Sequence, residues 1–482
     1  MSHIEGNRPI DGVAYRMGRR RFVQLGAAGL ATVVLAACSK GDDDDEATAA
    51  TTTATTAAGA TTAAGATTAA AATTAAGASG EITGGGGGDG TIRIGYVTPT
   101  TGALAPFAAA DDFVLEGVRE FLADGLRVGD GSYAVEIIVE DSQSDPNRAG
   151  ERASKLIAED GVDLIVVAST PETVNPVSSQ CEANGIPCIS SVAPWQPWFF
   201  GQNGDPAVGF EWAYHFFWGL EDVIATFLAM WNQLDTNQQV GGLFPNDGDG
   251  NAWGDAENGF PKPLQEAGYT LTDPGRYENG NQDFTAQISA FKQAGDEIIT
   301  GVVIPPDFPT FWRQAKQQGF NPKAASIGKA LLFPESIQAL GADGVNLSSE
   351  VWWSPNHPYA SSLTGATATE FTTAYAEASG GQWTQPLGFV HALFEVAVAA
   401  LTAAGTTEKA AVRDAVAGLS VDTIVGTVAW GAGPVKNVAK TALVGGQWRV
   451  ADTPTGYDLV IVDNSGNPDV PTAGTVEPIA AA

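Results

Sequence analysis

From Thr91 onward, short apolar runs with the two-residue period of a strand alternate with segments that carry the 3.6-residue period of a helix, and few folds accept that order. Ile92-Arg93-Ile94-Gly95-Tyr96-Val97 reads as a strand that ends in the turn Thr98-Pro99-Thr100-Thr101-Gly102. Residues 113–122 read as an amphipathic helix, with Val114, Gly117, Val118 and Phe121 on one face. A strand over 134–139 follows. Asp145 then caps a helix that runs through Ile157, with Pro146 at its first position. Residues 162–167 are almost continuously apolar, as a strand covered on both faces of a parallel sheet must be. A helix over 173–183 and a strand over 187–192 close this first series.

The pattern then restarts. The spacing predicts helix 216–233, strand 240–244, helix 255–267, strand 270–277, helix 283–294, strand 298–304, helix 307–318 and strand 325–328. Helices over 366–378 and 388–404 read as a return to the first lobe, and 424–464 as a strand-rich tail. The expected fold class is α/β: two Rossmann-like lobes with parallel central sheets and right-handed crossovers, joined at a hinge. Residues 91–213 and 351–420 are assigned to lobe 1, 214–350 to lobe 2, 421–468 to lobe 2 and the hinge, and 469–482 to a tail.

The segment before Thr91 is of another kind. Arg19-Arg20-Arg21-Phe22 precedes an apolar run from Leu25 to Ala37, too short to span a bilayer comfortably. It reads as a processed twin-arginine export signal over 1–37; an N-terminal membrane anchor is the alternative. Leu35-Ala36-Ala37-Cys38 resembles a bacterial lipobox, which implies cleavage before Cys38 and its diacylation. No later stretch is expected to reach a membrane-spanning length. Residues 38–90 hold the acidic run Asp42 to Glu46, repeats of Ala-Thr-Thr-Ala-Ala-Gly and the glycines 84–88, with Ile82 as the sole large apolar residue after Lys40. Such a stretch buries too little to fold and reads as a tether of roughly 50 residues, about 40 Å end to end as a coil.

A net charge of −31 leaves no basic stripe to replace phosphate counterions, which argues against a nucleic-acid partner. Besides Cys38 there are two cysteines, Cys181 and Cys188; outside the cytoplasm such a pair is expected to form a disulfide, two buried thiols being the alternative. The chain has no Gly-x-Ser-x-Gly elbow and no His-Glu-x-x-His. His215, His357 and His391 lack metal-ligand spacing. Asp247-Gly248-Asp249-Gly250-Asn251 starts like a calcium loop, but Ala252 and Asn258 stand where glycine and glutamate are needed. No catalytic residue, metal or cofactor is expected, and a secreted hydrolase is the enzyme alternative.

Several words, in order, resemble the branched-chain amino acid (leucine, isoleucine, valine) binding family with the type I periplasmic-binding fold. They are Ile94 to Gly102, Glu140-Asp141-Ser142-Gln143-Ser144-Asp145-Pro146, Gly161-Val162-Asp163, Asn184-Gly185-Ile186-Pro187, Asp283-Phe284-Thr285, Arg313-Gln314-Ala315-Lys316 with Gly319-Phe320, and Val421 to Gly426. The resemblance covers roughly 90–465. It implies a monomer that binds a small-molecule solute between its lobes, closes on it, and delivers it to an ABC permease and its ATPase, touching the membrane through the lipid alone. A sensor that reports ligand to a membrane signalling protein is the alternative use of the same lobes.

Parallel sheets place ligands beyond the carboxyl ends of their strands, where loops and helix N-termini converge. Thr100 and Phe107 lie in the first such loop, and the resemblance gives Phe107 the role of covering the solute. Ser169, Thr170 and Thr173 follow a strand and precede a helix; their hydroxyls serve either as ligands for a carboxylate or as ordinary caps. Ser190 and Ser191 match the family's second ligand loop. The family's second-lobe aromatic maps to Ile304 or Pro305, and its acid maps near Lys329. Asp307 either takes over the cationic partner's role or caps a helix. Trp195, Trp198, Trp253, Trp352 and Trp353 lie near these loops, with Trp195, Trp253 and Trp353 chosen as ligand contacts. With Lys329 in place of an acid, the expected solute is an amino acid, an amide or an aromatic carboxylate.

Overall fold

The computed structural model describes residues 88–480. The twin-arginine segment, Cys38 and most of the tether lie outside them. The first strands are β1 (Thr91–Thr98), β2 (Leu126–Val128), β3 (Gly131–Asp141), β4 (Leu164–Ala168), β5 (Cys188–Ser191) and β6 (Ala213–Phe216). Next come β7 (Gln239–Leu243), β8 (Thr270–Thr272), β9 (Ile298–Val303), β10 (Ala324–Lys329) and β11 (Ser348–Val351). A hairpin of β12 (Ser420–Thr423) and β13 (Gly426–Ala429) precedes β14 (Val438–Ala439), β15 (Val444–Val450) and β16 (Tyr457–Asp463).

These strands form two seven-stranded sheets, ordered β14-β6-β5-β4-β1-β3-β2 and β16-β15-β11-β10-β9-β7-β8. Every pairing in the first is parallel except β2 with β3. In the second, β15 and β16 are antiparallel additions beside β11. β4, β9 and β10 are buried along their whole length, and their residues are accordingly apolar or small, apart from Lys329 at the end of β10. The expected change of lobe after 213 falls inside β6, which belongs to the first sheet, so the crossing comes later. β14 likewise returns to the first sheet before β15 joins the second.

Local chemistry sets the boundaries. Asp145 caps the helix Pro146–Ala158 as expected, its side chain accepting from the Arg148 amide at 2.8 Å. The helix expected over 255–267 is instead two short ones, Gly248–Trp253 and Pro261–Glu266. Pro261 and Pro263 lack amide protons, so they start a helix rather than continue one. The strand expected to reach 277 stops at Thr272, ahead of Pro274-Gly275.

Against the expectation that no stretch after the signal reaches a membrane-spanning length, Gln385–Ala404 is long and apolar enough to cross a membrane. Here it is the core helix of lobe 1, buried over most of its length and packed on β2, β4, β5 and the helix Asp111–Phe121. Gly388 makes room for the Trp353 indole, since a Cβ there would stand 2.4 Å from the ring.

The expected disulfide is corrected. Cys181, on the helix Pro171–Asn184, and Cys188, at the start of β5, are free thiols in one apolar cluster. Burial, then the hydrogen bond to Cys188, pushes the Cys181 thiol well above its ordinary value. The thiolate that oxidation requires is thereby suppressed. A thiol-reactive dye at neutral pH should therefore label neither cysteine in the folded chain and both after unfolding without reductant. Mass analysis of the 181–188 peptide checks this, and an unlabelled unfolded peptide would reveal a bridge.

Candidate ligand-binding site

The strand orders β3-β1-β4 and β8-β7-β9 reverse direction at their middle members, and the carboxyl ends of both sheets open onto one cavity. It is nearly closed, with about 20 Å³ open to the centre of a water molecule. Lobe 1 lines it with Phe107 after β1, Thr170 after β4, Val192 and Pro194 after β5, and Phe217 and Trp218 after β6. Lobe 2 supplies Asp249 and Trp253 after β7, Val302 at the end of β9, Lys329 and Leu332 at and beyond the end of β10, and Glu350 and Trp352 from β11 and the residue beyond it. Phe107 meets Phe333 of lobe 2 edge-on at 5.0 Å.

The polar atoms of this wall are unusually bare. The indole nitrogens of Trp218, Trp253 and Trp352, the Thr170 hydroxyl and Asp249 Oδ1 are buried and make no hydrogen bond among the described residues. A buried polar atom without a partner costs about 1–3 kcal/mol, so five around one cavity mark a place for a polar guest. Thr170 occupies the N-cap position of Pro171–Asn184, yet its side chain makes no capping bond. Backbone strain gathers at the same wall. Val192 has φ 67° and Lys329 φ 61°, ψ −69°, conformations that cost about 1–3 kcal/mol each and cluster at ligand sites.

Lys329 reaches the cavity, but not as a free cation. Its Nζ lies 2.8 Å from Asp249, 3.4 Å from Asp247 and 3.5 Å from Glu172. Burial alone would lower its pKa; the three carboxylates outweigh burial and hold it well above the ordinary value. Its ammonium stands amid the Asp247–Asn251 loop that resembled a calcium site. Asp247 is further engaged as N-cap to Gly250 at 2.7 Å. Burial raises Asp249 to about 7 against the pull of Lys329, and raises Glu350 to about 7 despite its bond from the Ser349 hydroxyl.

Other expected contacts lie elsewhere. Thr100 is exposed. The Thr173 hydroxyl turns to the Thr170 carbonyl at 3.4 Å. Ser190 bonds the Tyr214 carbonyl and His215, and Ser191 the Phe216 carbonyl, so both tie β5 to β6. Trp195 donates to Glu221, and Trp353 to the Ile424 carbonyl. Asp307 begins its helix and accepts from the Gly280 amide at 2.9 Å. The Ser169 hydroxyl is buried and makes no hydrogen bond among the described residues, but it is not part of the cavity wall. Phe107, Thr170, Trp253 and Lys329 are the expected residues that the fold brings together. Trp218, Asp249 and Glu350 were missed, and Trp352 was passed over for its neighbour. The signal available was position, since each sits at or just past a strand's carboxyl end.

A family model for periplasmic binding proteins matches residues 91–453, and the chain belongs to that family. It is a solute-binding protein of the type I periplasmic fold, not an enzyme. A leucine-binding protein of Thermotoga maritima is 18% identical, with 78% of this chain and 99% of that one covered and a TM-score of 0.63. A branched-chain amino acid transporter substrate-binding protein of Streptococcus pneumoniae, solved with isoleucine, is 17% identical over 77% and 99%, TM-score 0.61. An ABC-transporter solute-binding protein of Rhodopseudomonas palustris, solved with 3,4-dihydroxybenzoic acid, is 16% identical over 80% and 99%, TM-score 0.63.

The buried acids make a pH prediction. Burial holds Asp111, Asp249, Glu350 and Glu395 at about 7. The folded chain keeps these protons after the unfolded chain has lost them, so stability falls as pH rises from about 4 to about 7. Burial also lowers His215 and His391 to about 3 and His357 to about 4, which opposes that fall only where the unfolded histidines are protonated, below about 6.5. The thermal midpoint at constant ionic strength should therefore be higher at about pH 6 than at about pH 7.5. A midpoint that climbs over that interval would contradict the burial of these carboxyls.

Proposed function

We propose that this protein is the capture component of an ABC importer, exported on its twin-arginine signal and held to the outer face of the cell membrane through diacylated Cys38. The observation that carries the reading is the interlobe cavity, whose bare donors and acceptors come from both lobes. A guest there completes hydrogen bonds that neither lobe completes alone, so it favours the closed arrangement. The tether lets the lobes leave the surface, meet solute and return to a permease.

The bare atoms describe the solute. Three indole donors and a hydroxyl suit a carbonyl or carboxylate oxygen; Asp249 Oδ1 suits an N–H. Phe107, Phe217, Val302 and Leu332 suit an apolar body. Because Glu172, Asp247 and Asp249 already neutralise Lys329, a purely anionic solute gains no cationic partner from it. An amino acid or amide fits better than a simple aromatic carboxylate, even though two structural neighbours were solved with such acids.

A thermal-shift panel of amino acids, primary amides and aromatic carboxylates tests this. A true ligand at a hundred times its Kd should add about 2.7 kcal/mol of stability. Asp249→Asn should weaken an amino acid or amide by about 2–5 kcal/mol, roughly 30- to 4,000-fold. An aromatic carboxylate that binds best, and more tightly to Asp249→Asn, would reverse the assignment. For the anchor, Cys38→Ala should release the protein from the membrane fraction; retention after a high-salt wash would refute lipidation as the hold.

A further inference from the structure

We propose that Glu172 is the latch between the lobes, a positioning residue that sets how readily the cleft stays closed. It stands at the second position of the helix Pro171–Asn184 in lobe 1. Its Oε1 accepts from the Gly248 amide of lobe 2 at 2.9 Å, and its Oε2 lies 3.5 Å from Lys329 Nζ. The other two carboxylates on Lys329, Asp247 and Asp249, belong to lobe 2, as Lys329 does. That trio stays together whether the cleft is open or closed. Glu172 is the member that must travel, so its two contacts exist only on closure.

The latch is weak by construction. Glu172 gains a share of an ammonium and one amide hydrogen bond, but it approaches two carboxylates that already hold the same cation. Charge-assisted bonds of this kind favour closure, while like charges limit how far. The balance suits a protein that must close on solute and reopen at a permease.

Glu172 also stands between two spaces. With Pro171, Asn175, Gly248 and Asn251 it lines an outer opening of about 430 Å³ between the lobes. Through Lys329 it touches the wall of the inner cavity. Glu172 therefore links the lining of the opening to the Lys329 side of the inner cavity.

This inference rests on the two-lobe capture reading, yet its test needs no solute, so the two can fail separately. Amide hydrogen exchange of the full chain, without added ligand, is followed in segments 168–176 and 245–254 and in the buried strands β4 and β9. Glu172→Ala should speed exchange at the Gly248 amide by about tenfold or more while β4 and β9 keep their rates. Glu172→Gln keeps an oxygen for Gly248 but loses the charge, and should fall between wild type and Glu172→Ala. Wild-type rates at Gly248 in Glu172→Ala would overturn the latch. Should Glu172→Ala loosen the buried strands too, the isosteric Glu172→Gln decides: wild-type exchange at Gly248 there overturns the role of the Lys329 ion pair.

Discussion

One buried ammonium organises the cleft. Lys329 sits at the end of β10 with Asp247 and Asp249 beside it and Glu172 reaching over from the other lobe. A lone buried charge would be prohibitive, and an ammonium held by several carboxylates is tolerable. The arrangement leaves excess negative charge, which the raised Asp249 and Glu350 carboxyls relieve by holding protons near neutrality. The same cluster fixes the loop after β7, sets the charge felt by a guest and bridges the lobes.

The fold makes this cluster possible by aiming the carboxyl ends of two parallel sheets at each other. Loops there are free to differ, because the strands behind them are locked by burial on both faces. Strain at Val192 and Lys329 and the bare indole nitrogens are local costs carried by the cleft wall. They persist where the scaffold around them is rigid enough to impose them.

Legibility in the sequence follows the range of the interaction concerned. The Asp145-Pro146 start, the apolar run of β4 and the two rounds of strand and helix rest on neighbours within a few residues, and they were readable. So was the family, from words in order. The site was readable as a set of loops and poorly as residues. Ser190 and Ser191 carry hydroxyls at the expected strand end, yet those hydroxyls knit β5 to β6. Trp352 and Trp353 are adjacent, but only the first lines the cavity, while the second is seated over Gly388 in the core. Successive side chains beside a strand end point to opposite sides, and nothing in a pair of tryptophans says which side is the cleft.

The sequence by itself determined the α/β class, the two lobes, the family and the loops that face the cleft, because periodicity, caps and turns act locally and each segment carries its own signal. Only the tertiary structure decided that Cys181 and Cys188 stay thiols, that the apolar helix Gln385–Ala404 is a core and not a membrane span, and that Lys329 is bound by Glu172 from 157 positions away in the chain. Those outcomes depend on which distant groups arrive at the same point. Burial and charge at a point in space are sums over neighbours that chain order does not record.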